Sequence, residues 1–114
     1  MSRDSLSIRP GTVNFLALGA VARGGRMHGF EILKWIQDSS DGELLVEEGA
    51  LYPALHKLEK RRWLTSQWSV SPKGRRAKYY EITAAGRASL SEQSRDWERF
   101  VAAVGRVVVL ADES

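Results

Sequence analysis

Cysteine is absent from the 114 residues. That rules out a disulfide framework, a thiolate metal site and a cysteine nucleophile, and it is compatible with a reducing cytoplasm. Histidine is nearly absent too. His28 and His56 are the only two, far apart and without a paired-carboxylate setting, so neither metal ligation nor nucleophilic catalysis has its usual residues. No glycine-rich phosphate loop of the G-x-x-x-x-G-K-[ST] or G-x-G-x-x-G kind occurs. Long apolar runs are missing as well. The best stretch, Thr12 to Ala22, is broken by Asn14 and Gly19 and is too short to span a bilayer. The N-terminus lacks a basic segment followed by an apolar stretch and cleavage site. These absences lead us to expect a cytoplasmic, non-enzymatic protein with no cofactor and no membrane partner.

What is present is one domain's worth of chain, 43% hydrophobic, with a modest net charge of +3. The charge is unevenly distributed. From Lys57 to Lys78 there are eight Lys or Arg residues against a single acid, Glu59. A concentrated basic segment is the footprint of a phosphate-binding surface, although a solvated basic face has the same composition.

Periodicity divides the chain into an arm (residues 1–10), a compact domain (11–83) and a terminal helix (84–111). Residues 1–10 have no period. After Pro10-Gly11, Val13, Leu16, Ala17 and Ala20 form a helical stripe widened by Phe15, Leu18 and Val21, which predicts a largely buried helix ending at Gly24-Gly25. Phe30, Leu33 and Ile36 mark a second helix from about His28 to Asp38, with Ile32 and Trp35 on its buried side and His28 at its start. Leu44 to Val46 is either a very short strand or an apolar lead into the next element.

The third helix carries Leu51, Leu55 and Leu58 on a core face and Tyr52, His56, Lys57 and Lys60 on the other, with Gly49 and Pro53 in its opening turn. Beyond it, Trp63 to Val70 alternates as a strand, Ser71 to Arg76 forms a turn around Pro72 and Gly74, and Ala77 to Thr83 returns. The expectation is a two-stranded ribbon with a basic tip. Trp63 and Trp68 are expected in the core at its base, and Tyr80 and Ile82 against the helices. Strand alternation places Arg76 and Lys78 on one face and Ala77 and Tyr79 on the other. Thr83 is a suitable N-cap for the last helix. In that helix Leu90, Gln93, Trp97, Phe100, Val104, Val107 and Ala111 step by three and four, with Val101 and Val108 widening the seam. Such a face needs a partner, and a second copy of the same helix is the expected one.

Three motifs make this order specific. Met27-His28-Gly29-Phe30-Glu31-Ile32, then Glu48 to Glu59 (EGALYPALHKLE), then Gly74 to Gly86 (GRRAKYYEITAAG) resemble the PadR family of bacterial transcriptional regulators, over roughly Gly11 to Val107. The single terminal helix resembles the family's short subgroup. The resemblance implies a mainly α (α+β) winged helix-turn-helix domain with a long C-terminal dimerisation helix. It further implies a homodimeric repressor that binds an inverted-repeat operator in double-stranded DNA and is relieved by a small molecule or another signal.

Carried onto this sequence, the resemblance makes Ala50, Tyr52, Pro53, His56, Lys57 and Lys60 of the third helix and Arg75, Arg76 and Lys78 of the wing the DNA-binding set. For Tyr52 a packing role against the wing is the alternative. Ala50 stands where the family commonly has Thr or Ser, which removes one hydroxyl from the start of that helix. Leu90, Trp97, Phe100, Val101, Val104, Val107 and Val108 form the expected dimer interface. Within it Trp97 and Phe100 either fill the seam or stack on a planar aromatic effector. Two other functions fit the same residues: a winged-helix module for protein–protein contact, and a ligand-binding protein built around an aromatic dimer cavity.

Overall fold

The structure is a computed structural model that describes residues 8–108. The elements run α1 (Pro10–Gly24), β1 (Met27–His28), α2 (Gly29–Ser39), α3 (Glu48–Lys60), β2 (Leu64–Val70), β3 (Arg76–Ile82) and α4 (Ala84–Val108). The three strands form an antiparallel sheet in the order β1-β3-β2. This is the expected mixed α+β winged-helix order, with one more strand than the ribbon predicted. Met27 pairs with Tyr80 and His28 with Tyr79. Two residues are too few to show an alternating pattern, so β1 leaves no periodic trace in the sequence. Leu44 makes only an isolated bridge, so the Leu44–Val46 segment is a lead into α3 and not a strand.

The core is where the helical stripes placed it. Ala17, Leu18 and Ala20 of α1, Ile32 of α2, and Leu51 and Leu55 of α3 are fully buried, with Val21, Leu58, Leu64 and Tyr80 closing around them. Leu and Ile side chains buried to this extent stabilise the fold by about 1.5–3 kcal/mol each. Pro10 opens α1 at its first position, where the missing N–H costs no helical bond. Gly25, at φ 90°, takes the turn that follows.

His28 caps α2 through a reciprocal pair. Its Nδ1 accepts from the Glu31 N–H at 3.3 Å, and its own N–H donates to Glu31 Oε1 at 3.1 Å. The buried side of α2 is Gly29, Ile32 and Ile36. Phe30, expected on that stripe, is instead 62% exposed. Its position one residue after the buried Gly29 turns it away from α1.

Pro53 also sits differently from the expectation. The helix begins at Glu48, which puts Pro53 in the second turn and not the first. The proline cannot donate to the Gly49 carbonyl. Both residues lie on the exposed side, where water has access to that carbonyl.

One joint ties α3, the sheet and α4 together. The α3 helix closes with the Trp63 N–H donating to the Leu58 carbonyl (3.0 Å) and the Arg62 N–H to the Glu59 carbonyl (2.9 Å), a Schellman arrangement. It places Arg62 at φ 62°, where glycine is the usual residue. Thr83 then bonds back to the same turn. Its N–H donates to the Trp63 carbonyl (3.0 Å), and its hydroxyl lies 2.7 Å from the Arg62 carbonyl. The hydroxyl oxygen also accepts from the Gly86 N–H at 2.9 Å, the predicted N-cap of α4. Gly86 is buried directly against the Trp63 carbonyl.

Beyond this joint α4 runs largely uncovered. Of its 25 residues only Gly86 is buried. Leu90 packs at the edge of the core, and Trp97 meets Phe15 of α1 with ring centroids 6.2 Å apart. Phe100, Val101, Val107 and Val108 face outward. The expected helix end near Ala111 and the first seven residues of the expected arm lie outside the described residues. No helix among the described residues is long and apolar enough to cross a membrane.

Candidate nucleic-acid interface

The α3 helix divides its residues sharply. Leu51, Ala54, Leu55 and Leu58 are buried, whereas Gly49, Ala50, Tyr52, Pro53, His56, Lys57 and Lys60 are exposed. The 3.6-residue period alone produces this split. It brings all six sequence-predicted residues of the third helix onto the outward side. Glu48 in the first turn complements the helix dipole, and Lys57 and Lys60 do the same in the last.

An open cleft of about 690 Å³ lies between the start of α2 (His28, Gly29 and Phe30), with Tyr52 of α3 beside it, and the sheet, where Trp68, Arg76, Lys78 and Tyr80 line the wall together with Lys73 and Arg75. The β2–β3 register, Ser66 with Tyr80, Trp68 with Lys78 and Val70 with Arg76, sets these residues on one side of the ribbon. The predicted alternation of β3 therefore holds, with Arg76 and Lys78 sharing a face. The turn at the tip is held by the Gly74 N–H donating to the Ser71 carbonyl (2.8 Å) and the Ser71 N–H donating to the Arg75 carbonyl (2.7 Å).

Aromatic groups are interleaved with these cations. Trp68, expected in the core, is 56% exposed, and the Arg76 guanidinium stands 4.8 Å from its ring centre. The helices support only the base of the ribbon. Leu64 and Tyr80 are buried there, while Trp68 lies farther out, where no helix covers it. Trp63, at the base, is half-buried against the core as expected. Tyr52 is half-exposed and leans on α2, so close that a Cβ on Gly29 would stand 2.6 Å from its hydroxyl. It thus packs against α2 and also lines the cleft. Phe30, which sequence reasoning assigned to the core, joins the same cleft. Its signal was available only as a large apolar residue beside the helix-opening His28-Gly29.

The three wing cations differ. Arg75 and Arg76 are exposed, but Lys78 is half-buried, with its Nζ 3.3 Å from Glu59 Oε1. Glu59 also accepts a hydrogen bond from the Ser66 hydroxyl at 2.5 Å. This hydrogen bond, together with Lys78, holds the Glu59 carboxyl below its ordinary range. Burial first, then the neighbouring Glu59 charge, pushes the Tyr80 phenol above its own.

The residues predicted for dimerisation are not part of this surface. Trp97 and Phe100 sit 6.3 Å apart, centroid to centroid, beside a shallow depression shared with Gly11, Thr12, Phe15, Gln93 and Asp96. Val104 is half-buried and Leu90 turns toward its own domain.

Comparison with known proteins agrees with this geometry. The sequence pattern of the transcriptional regulator PadR-like family matches residues 18–92. A protein of Lysinibacillus sphaericus is 31% identical over 70 residues, covering 61% of this chain and 64% of that protein. "Transcriptional regulator Rv3488" of Mycobacterium tuberculosis is 42% identical over 65 residues, 56% of this chain and 60% of that one. The chain thus spans somewhat under two thirds of each of these two relatives. Among solved structures, a transcriptional regulator from Clostridium thermocellum superposes with a TM-score of 0.77 at 28% identity, covering 86% of this chain and 94% of that one. A PadR family transcription regulator from Clostridium difficile gives 0.70 at 29% identity, covering 87% and 99%.

Proposed function

The chain belongs to the PadR-like family of transcriptional regulators, whose members are not enzymes, and from that premise we propose that it is a homodimeric repressor binding an inverted-repeat operator in double-stranded DNA. The observation that supports this reading is the exposed outward side of α3 together with the exposed basic wing, the two meeting at Tyr52 in one open cleft. In the proposal α3 enters the major groove with Ala50, Tyr52, Pro53 and His56 toward the bases, while Lys57 and Lys60 meet phosphate. Arg75 and Arg76 reach the neighbouring backbone or minor groove, where arginine senses groove width as well as charge. No arginine lies near the start of α3 to make a bidentate base contact. Specificity then rests on Tyr52 and His56, on the wing and on half-site spacing.

The uncovered seam of α4, from Trp97 through Phe100, Val101 and Val104 to Val107 and Val108, is the proposed dimer interface, with Leu90 at its inner end. Exposed apolar residues at heptad spacing are stable in water only when paired. Trp97, Phe100 and Phe15 give a planar aromatic effector rings on which to stack. Release of the operator by such a ligand completes the repressor cycle, which would take place in the cytoplasm.

The test is binding of the protein to duplex DNA from immediately upstream of its own coding sequence, followed by fluorescence anisotropy across a salt series. If about five phosphates are neutralised, log K should fall against log salt with a slope near −4.5. Replacing Arg75 and Arg76 with Ala should weaken binding to all sequences alike and flatten that slope. Absence of binding at low salt would overturn the proposal.

A further inference from the structure

Glu59 is the one acid in the basic stretch from Lys57 to Lys78, and the fold sets it between α3 and the wing. It occupies the last turn of α3. One carboxylate oxygen lies 3.3 Å from Lys78 Nζ on β3, and the other accepts the Ser66 hydroxyl of β2. A single side chain of the recognition helix therefore grips both long strands of the sheet. The Lys78 ammonium lies 6.0 Å from the Tyr80 ring centre, so its stem runs along the cleft wall.

The pair is too shallow to matter much as a stabiliser. The Lys78 and Glu59 side chains are 36% and 31% exposed, and ion pairs near the surface typically contribute about 0–1 kcal/mol. Geometry is the stronger effect. A lysine has a flexible four-carbon stem and a point charge, so when released it can follow any phosphate within reach. Paired with Glu59, its stem is biased toward α3, and reaching a phosphate means giving up that pair.

We propose that Glu59 is a positioning residue that fixes the wing on the recognition helix and withholds Lys78 from the phosphate contacts. This deepens the DNA-binding reading above and rests on it. Phosphate binding by the wing then falls to Arg75 and Arg76, whose reach is set by the tethered ribbon. A free Lys78 would add affinity for every sequence equally, because phosphate contacts carry no base information. The tether thus favours discrimination over raw affinity.

The experiment compares wild-type protein, Glu59→Gln, Lys78→Ala and the double variant on the upstream duplex and on a scrambled duplex of equal length, by anisotropy across salt. Circular dichroism verifies that each variant is folded, and the glutamine carboxamide can still accept the Ser66 hydrogen bond. Lys78→Ala alone should leave the salt slope unchanged. Glu59→Gln should steepen it by about 0.9 per protomer, the value of one newly engaged phosphate, and should narrow the ratio of specific to scrambled binding. Adding Lys78→Ala to Glu59→Gln should remove that increment.

Three results would overturn the inference while leaving the DNA-binding reading intact. The first is a slope that flattens by about 0.9 on Lys78→Ala alone, which would place the lysine on phosphate already. The second is no change on Glu59→Gln. The third is an increment that survives removal of Lys78, which would reduce the effect to general loss of negative charge. Failure of the wild-type protein to bind either duplex at low salt would overturn the DNA-binding reading itself.

Discussion

Replacing Gly86 with alanine sets two effects of opposite sign against each other. By propensity alone, alanine in a helix is better than glycine by about 1 kcal/mol. At this position, however, an added Cβ would fall inside the contact distance of the Trp63 carbonyl oxygen and 2.8 Å from Ile82 Cγ1. The carbonyl is backbone and cannot rotate away, because it already accepts the Thr83 N–H at 3.0 Å. Relief requires the start of α4 to move by roughly an ångström, an overpacking strain of about 1–3 kcal/mol. The same movement stretches the Thr83 hydroxyl's bond to the Arg62 carbonyl and the Thr83 N–H bond to the Trp63 carbonyl, each worth about 1 kcal/mol. Sterics should win by about 2–4 kcal/mol after the propensity gain is subtracted. In urea unfolding followed by tryptophan fluorescence, the midpoint should drop by roughly 1–2 M. Gly49→Ala is the control, since an added Cβ there meets nothing within 4 Å; its midpoint should stay level or rise. A Gly86→Ala midpoint at or above wild type would refute the account of the joint.

Three further outcomes can be checked. Arg62→Gly should stabilise the protein by about 1 kcal/mol, because glycine adopts the φ of 62° seen there without the Cβ cost; a melting temperature that falls would contradict this. Glu59 has a folded pKa below its ordinary 4.5, so its stabilisation is complete above the ordinary carboxylate range and is lost as pH falls through the folded value. Unfolding midpoints of wild type and Glu59→Gln should therefore differ near neutrality and converge on acidification, and a constant gap would count against the tether. Phe100→Asp changes an exposed residue, so the fold should survive while sedimentation velocity shifts from dimer to monomer; a dimer that persists would move the interface away from α4.

The sequence and the fold agree most closely where one periodic signal acts on a long element. The Leu51, Leu55 and Leu58 stripe located the buried side of α3, and thereby its outward side, because a helix cannot bury one without exposing the other. Thr83 was legible as a cap because it combines a hydroxyl with a change of period. What escaped depends on contacts distant in sequence. β1 is two residues long and exists only because β3 offers it an edge. Phe30 and Trp68 are apolar enough for the core, and hydrophobicity does not say which side of an element lacks a covering helix. Glu59 looks like a solvated member of a charged run, and only the β2–β3 register brings Ser66 and Lys78 to it. The wing cations were correctly grouped by alternation, but their unequal freedom was not visible.

The Thr83 joint has a mechanical consequence. The end of α3, the foot of the sheet and the first turn of α4 share one hydroxyl and two carbonyls, which couples a turn of α4, the handle, to the end of α3 and the sheet, the blade. In the dimer proposed above, paired through α4, a change in the angle between the two handles would carry each reading head with it. An effector wedged between the handles need not touch the reading surface at all. On the function proposed above, it would alter the stride between the two heads, and an operator whose half-sites are spaced to the new stride should then regain its protein in the presence of the ligand.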